Sequence, residues 1–273
     1  METRSKRAFI ILVYIVILVL IVFGAYSLFK EKETCFDNIK NQNEEDADCG
    51  GICEKGCDKI EAQNLIVEKV GFAPSGIAGK YDFYARVFNP NAIFGNGKFN
   101  YRMDFKDSSG GILASKENAG FILPGERKYL IENNIDASSA PASADIKIKD
   151  SDWVQFNDYY KKPDIKIVNK NYSEISGGVG FSEAKGLLKN NSPFDFDLIK
   201  IQIILEDENG RILALNSTQM KTVKAGEERD FKISWPNRFS GIVSNMEVQA
   251  EVNVFNSDAF FKRFYQAHKF QEY

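Results

Sequence analysis

Four cysteines, Cys35, Cys49, Cys53 and Cys57, fall within one stretch, CFDNIKNQNEEDADCGGICEKGC, and the rest of the chain holds none. Thiols this close can pair as disulfides or ligate a metal. The spacing C-x13-C-x3-C-x3-C lacks the C-x2-C knuckles of a structural zinc site, and no histidine stands nearby. Two disulfides are therefore the first reading, with three pairings open. The same stretch is rich in hard oxygen donors. Asp37, Asn41, Glu44 and Asp48 are the set a calcium ion would take, since calcium needs six to eight oxygens, although their spacing is not that of an EF-hand loop. The competing reading is a solvated acidic surface.

Catalytic chemistry finds little else to use. The single histidine, His268, lies near the C-terminus with no cysteine or serine motif around it. GGVGFSEAKG has glycines but no Lys-Ser/Thr ending to cradle phosphate. Trp153 and Trp235 close strands and read as core residues. The expectation is a chain that is not an enzyme. The net charge of −3 carries no basic footprint for nucleic acid. The acidity is local: between Lys30 and Gln63 ten Asp/Glu face five Lys.

The elements that position these residues begin with a membrane signal. Arg4, Lys6 and Arg7 precede an uncharged run of 22 residues, Ala8 to Phe29. As a helix the run is roughly 33 Å long, against a hydrocarbon core of about 30 Å. It is too long for the apolar region of a cleaved signal peptide. Residues 8–29 are expected to span the bilayer once, with 1–7 in the cytoplasm and the remainder outside the cytoplasmic membrane.

Beyond the cysteines, apolar residues alternate with polar ones. Phe99, Tyr101, Met103 and Phe105 form one such run; Ile199, Ile201, Ile203 and Leu205 form another, and Phe231, Ile233 and Trp235 a third. Period-two alternation predicts antiparallel strands with one buried and one wet face. The runs also repeat. VFNPNAIFGNGKFNYRMDFKDSSGGILA parallels LKNNSPFDFDLIKIQIILEDENGRILA, and Asp107 and Gly110 match Asp207 and Gly210 at an offset of one hundred. PGERKYLI parallels AGEERDFKI. Each copy has the length and strand count of an immunoglobulin-like sandwich, so the fold class expected is all-β, with two tandem sandwiches.

The second copy resembles the FxLYD-type sandwiches of bacterial and archaeal surface proteins, which are related in shape to late-embryogenesis-abundant type-2 domains. The likeness covers roughly 164–256, with a weaker echo over 64–153. At the naming motif Ile203, Leu205, Glu206 and Asp207 stand where Phe, Leu, Tyr and Asp are the family's residues. The resemblance implies structural or binding modules and brings no catalytic residue. The cysteine stretch is similar to a surface-protein motif, Cys-x-Asp-Gly-x-x-Asn-Gly-x-Glu followed by Asp-Cys-Gly-Gly-x-Cys. Asn38 and Gln42 replace two of its glycines. That motif links a membrane or secretion signal to ectodomains.

The organisation expected is 1–7 cytoplasmic, 8–29 membrane helix, 30–62 acidic stalk, 63–155 first sandwich, 156–163 linker, 164–258 second sandwich and 259–273 aromatic tail. Two places are candidates for partner contact, Ile93 and Phe94 in a turn-rich loop and Phe260, Phe261 and Phe264 on one face of the tail, each with a favoured alternative inside the chain: Phe94 tucked under the sheet, and the tail docked on its own sandwich. The function expected is binding or scaffolding, toward the bilayer through 8–29 and toward an extracytoplasmic protein or glycan. The alternatives are an envelope enzyme or its accessory, or a subunit of an envelope assembly complex.

Overall fold

The structure, a computed structural model, describes residues 2–29, 35–36, 40, 43–44, 48–54, 56, 61–157, 159–177 and 179–264. The chain forms two compact units, Met1–Glu61 and Ala62–Tyr273.

In the first unit, helix α1 runs Glu2–Phe29. Its side chains are described at positions 9, 12–24 and 26, and the apolar ones among them are all exposed. Counted over described residues, no helix is long and apolar enough to cross a membrane. The span expected over 8–29 thus has a helical backbone beneath it, while the side chains at both its ends lie outside the described residues.

The second unit is built from twelve described strands in four antiparallel sheets. In the first copy β1 (Ile66–Pro74), β2 (Lys80–Phe88) and β5 (Arg127–Asp136) make one sheet in the order β1-β2-β5. Its mate holds β3 (Phe94–Lys106), β4 (Ile112–Ile122) and β6 (Ser143–Gln155) in the order β4-β3-β6. The second copy repeats both orders. β7 (Ile165–Glu174), β8 (Ser182–Asn190) and β11 (Glu228–Trp235) pair as β11-β8-β7. β9 (Phe196–Glu206), β10 (Ile212–Val223) and β12 (Asn245–Val252) pair as β10-β9-β12. A short 3-10 turn, Val254–Asn256, and helix α2, Asp258–Phe264, follow.

The alternation finds the cores. Phe99, Tyr101, Met103 and Phe105 pack with Phe83, Val87 and Leu130 in the first sandwich. Ile199, Ile201, Ile203 and Leu205 pack with Leu188, Ile233 and Trp235 in the second. The expectation of one wet face fails on two sheets, however. Positions 201–205 of β9 and 128–132 of β5 are buried in succession, because the outer face of each strand is covered as well.

The repeated polar residues hold the loops. Asn190, fully buried at the end of β8, donates from Nδ2 to the carbonyls of Phe194 (2.8 Å) and Lys224 (2.9 Å). Its Oδ1 accepts from the Ser192 amide (3.1 Å) and hydroxyl (2.6 Å). Asn89 repeats the pattern, donating to the carbonyls of Phe94 (2.7 Å) and Leu123 (2.9 Å) and accepting from Asn91. One amide thus ties two loops to a strand end, adding a donor to carbonyls of which those of Leu123 and Lys224 also accept from the Glu126 and Glu227 amides (3.2 and 3.1 Å). The glutamates of the Gly-Glu turns act alike: Glu126 accepts from the Leu123 amide and Glu227 from the Lys224 amide. Gly125 and Gly226 take the left-handed φ (61° and 73°) that these turns require.

The Asp-x-x-Gly motif closes the β3–β4 and β9–β10 hairpins. Asp107 accepts from the amides of Ser109 and Gly111, and Asp207 from those of Asn209 and Arg211. These bonds hold both carboxyls below the usual aspartate range, led by the Ser109 side chain at Asp107 and the Arg211 amide at Asp207.

Replacing Asn190 tests this use of the repeat. Asn190→Ala takes one donor from the Phe194 and Lys224 carbonyls, of which that of Lys224 keeps the Glu227 amide (3.1 Å), removes the acceptor of Ser192, and is expected to cost about 1–3 kcal/mol. Asn190→Asp, of the same shape, turns the donors into acceptors facing carbonyls and does no better. Urea unfolding of the full chain in detergent micelles measures both; an alanine variant within about 0.5 kcal/mol of the parent contradicts the clamp.

Candidate functional site

The cysteine stretch carries a disulfide between Cys35 and Cys53. Cys49 is disulfide-bonded as well, and Cys57 lies outside the described residues. Glycine is obligatory at the turn preceding Cys53: Gly51 has φ +58°, and a β-carbon there would stand 1.7 Å from the Asn43 carbonyl oxygen. Glu44 is buried, with Oε1 3.0 Å from Cys53 Sγ. A disulfide sulfur has no proton to donate, so the approach is packing rather than a hydrogen bond. Cys35, Glu44 and Cys53 are close enough to surround a metal, but bonded sulfurs offer no thiolate to one. Of the expected calcium ligands, Glu44 is buried beside this disulfide and Asp48 sits in a left-handed turn with φ 57°. Asp37 and Asn41 lie outside the described residues.

The residues expected to meet partners are turned inward or half inward. Ile93 and Phe94 are half-buried at the start of β3, and the Ile93 carbonyl accepts from the Phe156 amide (2.8 Å). Of the two readings of the tail, Phe260 and Phe264 take the intramolecular one and not the contact with a partner: both are buried, packed on Phe194 and Tyr160. The Asn157 amide donates to the Phe264 carbonyl (2.9 Å) and its Nδ2 to that of Arg263 (3.1 Å). Helix α2 is therefore a plug at one end of the second sandwich, and Phe261 within it is half-buried. The stretch 156–163 is no free spacer either, since Phe156 is fully buried in the second core and Lys162 pairs with Glu126 (2.7 Å). An aromatic-rich segment gains more by covering core than by standing in water.

What sequence reasoning missed is the seam between the copies. Tyr84, Tyr129 and Ile131 of the sheet β1-β2-β5 pack on Ile204, Ile212 and Leu215 of the sheet β10-β9-β12. Tyr129 is 1% exposed and Ile204 fully buried. Burial pushes both tyrosine hydroxyls up, with Glu206 adding to the effect at Tyr84. Polar groups fix the register. The Tyr129 amide donates to Gln249 Oε1 (3.1 Å), and Lys69 Nζ donates to the Gly210 carbonyl (3.0 Å). Lys128 and Glu251 form an ion pair (3.3 Å) with side chains 4% and 9% exposed. Lys128 also donates to the Phe121 carbonyl (3.0 Å) and lies 3.8 Å from the centre of the Phe121 ring.

Two small cavities open along this seam. One, of about 250 Å³, is lined by Phe121, Phe196, Leu198, Lys200, Gln219 and Asn253 among others. The other, of about 190 Å³, is lined by Tyr101, Lys128, Glu132, Gln202 and Glu251 among others. Phe121, Lys200 and Glu251 belong to both walls. The one available signal was a pair of dense apolar stretches, Ile201–Leu205 interrupted only by Gln202 and the unbroken Ile212–Leu215, which exceed what one buried face needs.

The ion pair makes the seam testable. Lys128→Ala leaves Glu251 buried without its partner and is expected to lower stability by about 3–5 kcal/mol. The double variant Lys128→Met/Glu251→Leu removes both charges and recovers most of that loss. Denaturant unfolding of the full chain reads both; a harmless single alanine, or a double variant as damaged as the single, contradicts a buried seam.

No family model matches the chain, and no curated protein matches it. Among solved structures it is similar to the calcium binding domain CBD12 of CALX1.1, at 12% identity and a TM-score of 0.20, covering 67% of this chain and 79% of that one. It is also similar to red sea bream transglutaminase, at 10% identity and a TM-score of 0.21, covering 70% of this chain and 31% of that one. Likeness at this level carries no function across.

Proposed function

We propose that the chain is a membrane-anchored extracytoplasmic binding or scaffolding protein, presenting two immunoglobulin-like sandwiches as one body. The observation that carries this reading is the seam. A protein that spends two sheet faces and a buried ion pair on locking its repeats together is suited to hold a surface in fixed geometry. The polar residues that define the repeat are engaged in loop clamps and turns, which fits a structural module. The anchor rests on the 22-residue apolar run, the basic residues before it and the helical backbone through it. The placement outside rests also on the disulfide chemistry of the stalk, which suits an oxidising compartment. The likeness of its sequence to stalks of surface proteins points the same way.

Topology is tested in spheroplasts carrying the chain with an N-terminal tag. Added protease is expected to remove the sandwich unit and spare the tag, and the tagged fragment should resist alkaline extraction from the membrane. Loss of the tag with intact sandwiches reverses the orientation. Release of the whole chain by alkali removes the anchor from the account.

A further inference from the structure

Three asparagines of the second copy stand in the acceptor triplet for N-linked glycans, Asn-x-Ser/Thr with x other than proline: Asn171 (NYS), Asn190 (NNS) and Asn216 (NST). The triplet is short and arises by chance, so its surroundings decide whether it can be used. A glycan needs an amide nitrogen free to bond and open water around it. Asn190 has neither: it is fully buried, and its Nδ2 donates to the carbonyls of both Phe194 and Lys224. Asn216 is half-buried on β10, where its Nδ2 donates to the Ser234 carbonyl (3.0 Å) and its neighbour Leu215 is packed in the seam. Asn171 differs on each count. It is exposed, and its side chain has no hydrogen-bond partner among the described residues. Strand β7 explains the exposure. It is the edge of the sheet β11-β8-β7, and its pairing with β8 is interrupted by a bulge between Val168 and Asn171, where Asn169 takes a left-handed φ of 53°. Beyond the bulge the strand alternates. Tyr172 turns inward against Trp235 (ring centres 6.3 Å apart), so Asn171 and Ser173 lie together on the outer face. Their partners in register, Lys185 and Glu183, are charged, and Glu183 pairs with both Lys185 and Lys232. That face is wet, and the seam uses the other sheet of this sandwich.

We propose that Asn171 is a site of N-linked glycosylation. The inference rests on the placement of the sandwiches outside the cytoplasmic membrane, where lipid-carried saccharides are transferred to protein. The donor is a saccharide joined through its anomeric carbon to a lipid phosphate, and a membrane transferase brings donor and acceptor together. The Asn171 Nδ2 bonds to the anomeric carbon as the bond from that carbon to the phosphate oxygen breaks. The lipid phosphate leaves with the bonding electrons, and the amide gives up one proton to a base of the transferase. Nothing is oxidised or reduced. Ser173 keeps its hydroxyl, which the transferase reads two residues from the asparagine. A hydrophilic chain fixed here also covers the free edge of β7, whose unpaired N–H and C=O groups are otherwise open to another strand.

Mass spectrometry of the full chain, purified from its native membranes, tests this. Trypsin cuts after Lys170 and Lys185, so the peptide 171–185 carries Asn171 apart from both other triplets. That peptide is expected to gain the mass of a saccharide on Asn171, with Asn190 and Asn216 bare. Ser173→Ala, expressed in the same cells, should lose the sugar, and Ser173→Thr should keep it. Asn216→Gln should leave it unchanged. A bare Asn171, or a sugar on Asn190 or Asn216 instead, overturns the proposal. So does a Ser173→Ala chain that stays glycosylated. Protease treatment of spheroplasts from the same cells separates this reading from the one beneath it. With the sandwiches outside, a bare Asn171 refutes the glycan alone; sandwiches that stay protected refute the placement, and the glycan falls with it.

Discussion

Tyr84, Tyr129 and Ile131 on one sheet and Ile204, Ile212 and Leu215 on another meet across a surface that neither sandwich can expose without cost. Buried apolar area contributes about 25 cal/mol per Å², so several large side chains on each side outweigh most single polar contacts in the molecule. The rest of the second unit follows from that contact. β5 and β9 must be buried on both faces, Lys128 must find a carboxylate, and the stretch between the copies must stay close enough for Phe156 to enter the second core.

The sandwiches were legible because their inner faces obey a period of two, which the pleat of a strand imposes on any sheet with a single core. Phe99–Phe105 and Ile199–Leu205 therefore pointed correctly inward. The duplication was legible for a related reason. Asn89 and Asn190, Asp107 and Asp207, and Glu126 and Glu227 each perform one local task that no other residue type at that place performs as well. Local tasks leave local signatures.

The seam left a weaker trace because contact between two preformed surfaces has no period of its own. Ile204 and Leu215 are apolar residues at outward positions, and scattered apolar residues outside are ordinary in folded proteins. Only the structure brings them opposite Tyr129. The tail shows the same limit in a milder form. Phe260, Phe261 and Phe264 read as one helical face docked on the chain itself, but only the structure names Phe194 and Tyr160 as what it meets. In the stalk, the Gly-Gly pair before Cys53 was recognisable, while its reason, the Asn43 carbonyl lying where a β-carbon would stand, depends on a neighbour eight positions away.

The central claim is that the two copies unfold as one body, and the chain carries its own reporters. Of its two tryptophans, Trp153 lies in the first copy and Trp235 in the second, where it is buried and its indole N–H donates to the Leu215 carbonyl (3.4 Å). Trp153→Phe and Trp235→Phe each leave one fluorescent probe. Urea unfolding of the full chain, followed in both variants and normalised against circular dichroism, should give coincident transitions in each. A Trp235 signal that stays native after the Trp153 transition is complete would mean that the copies are independent domains and that the seam does not bind them.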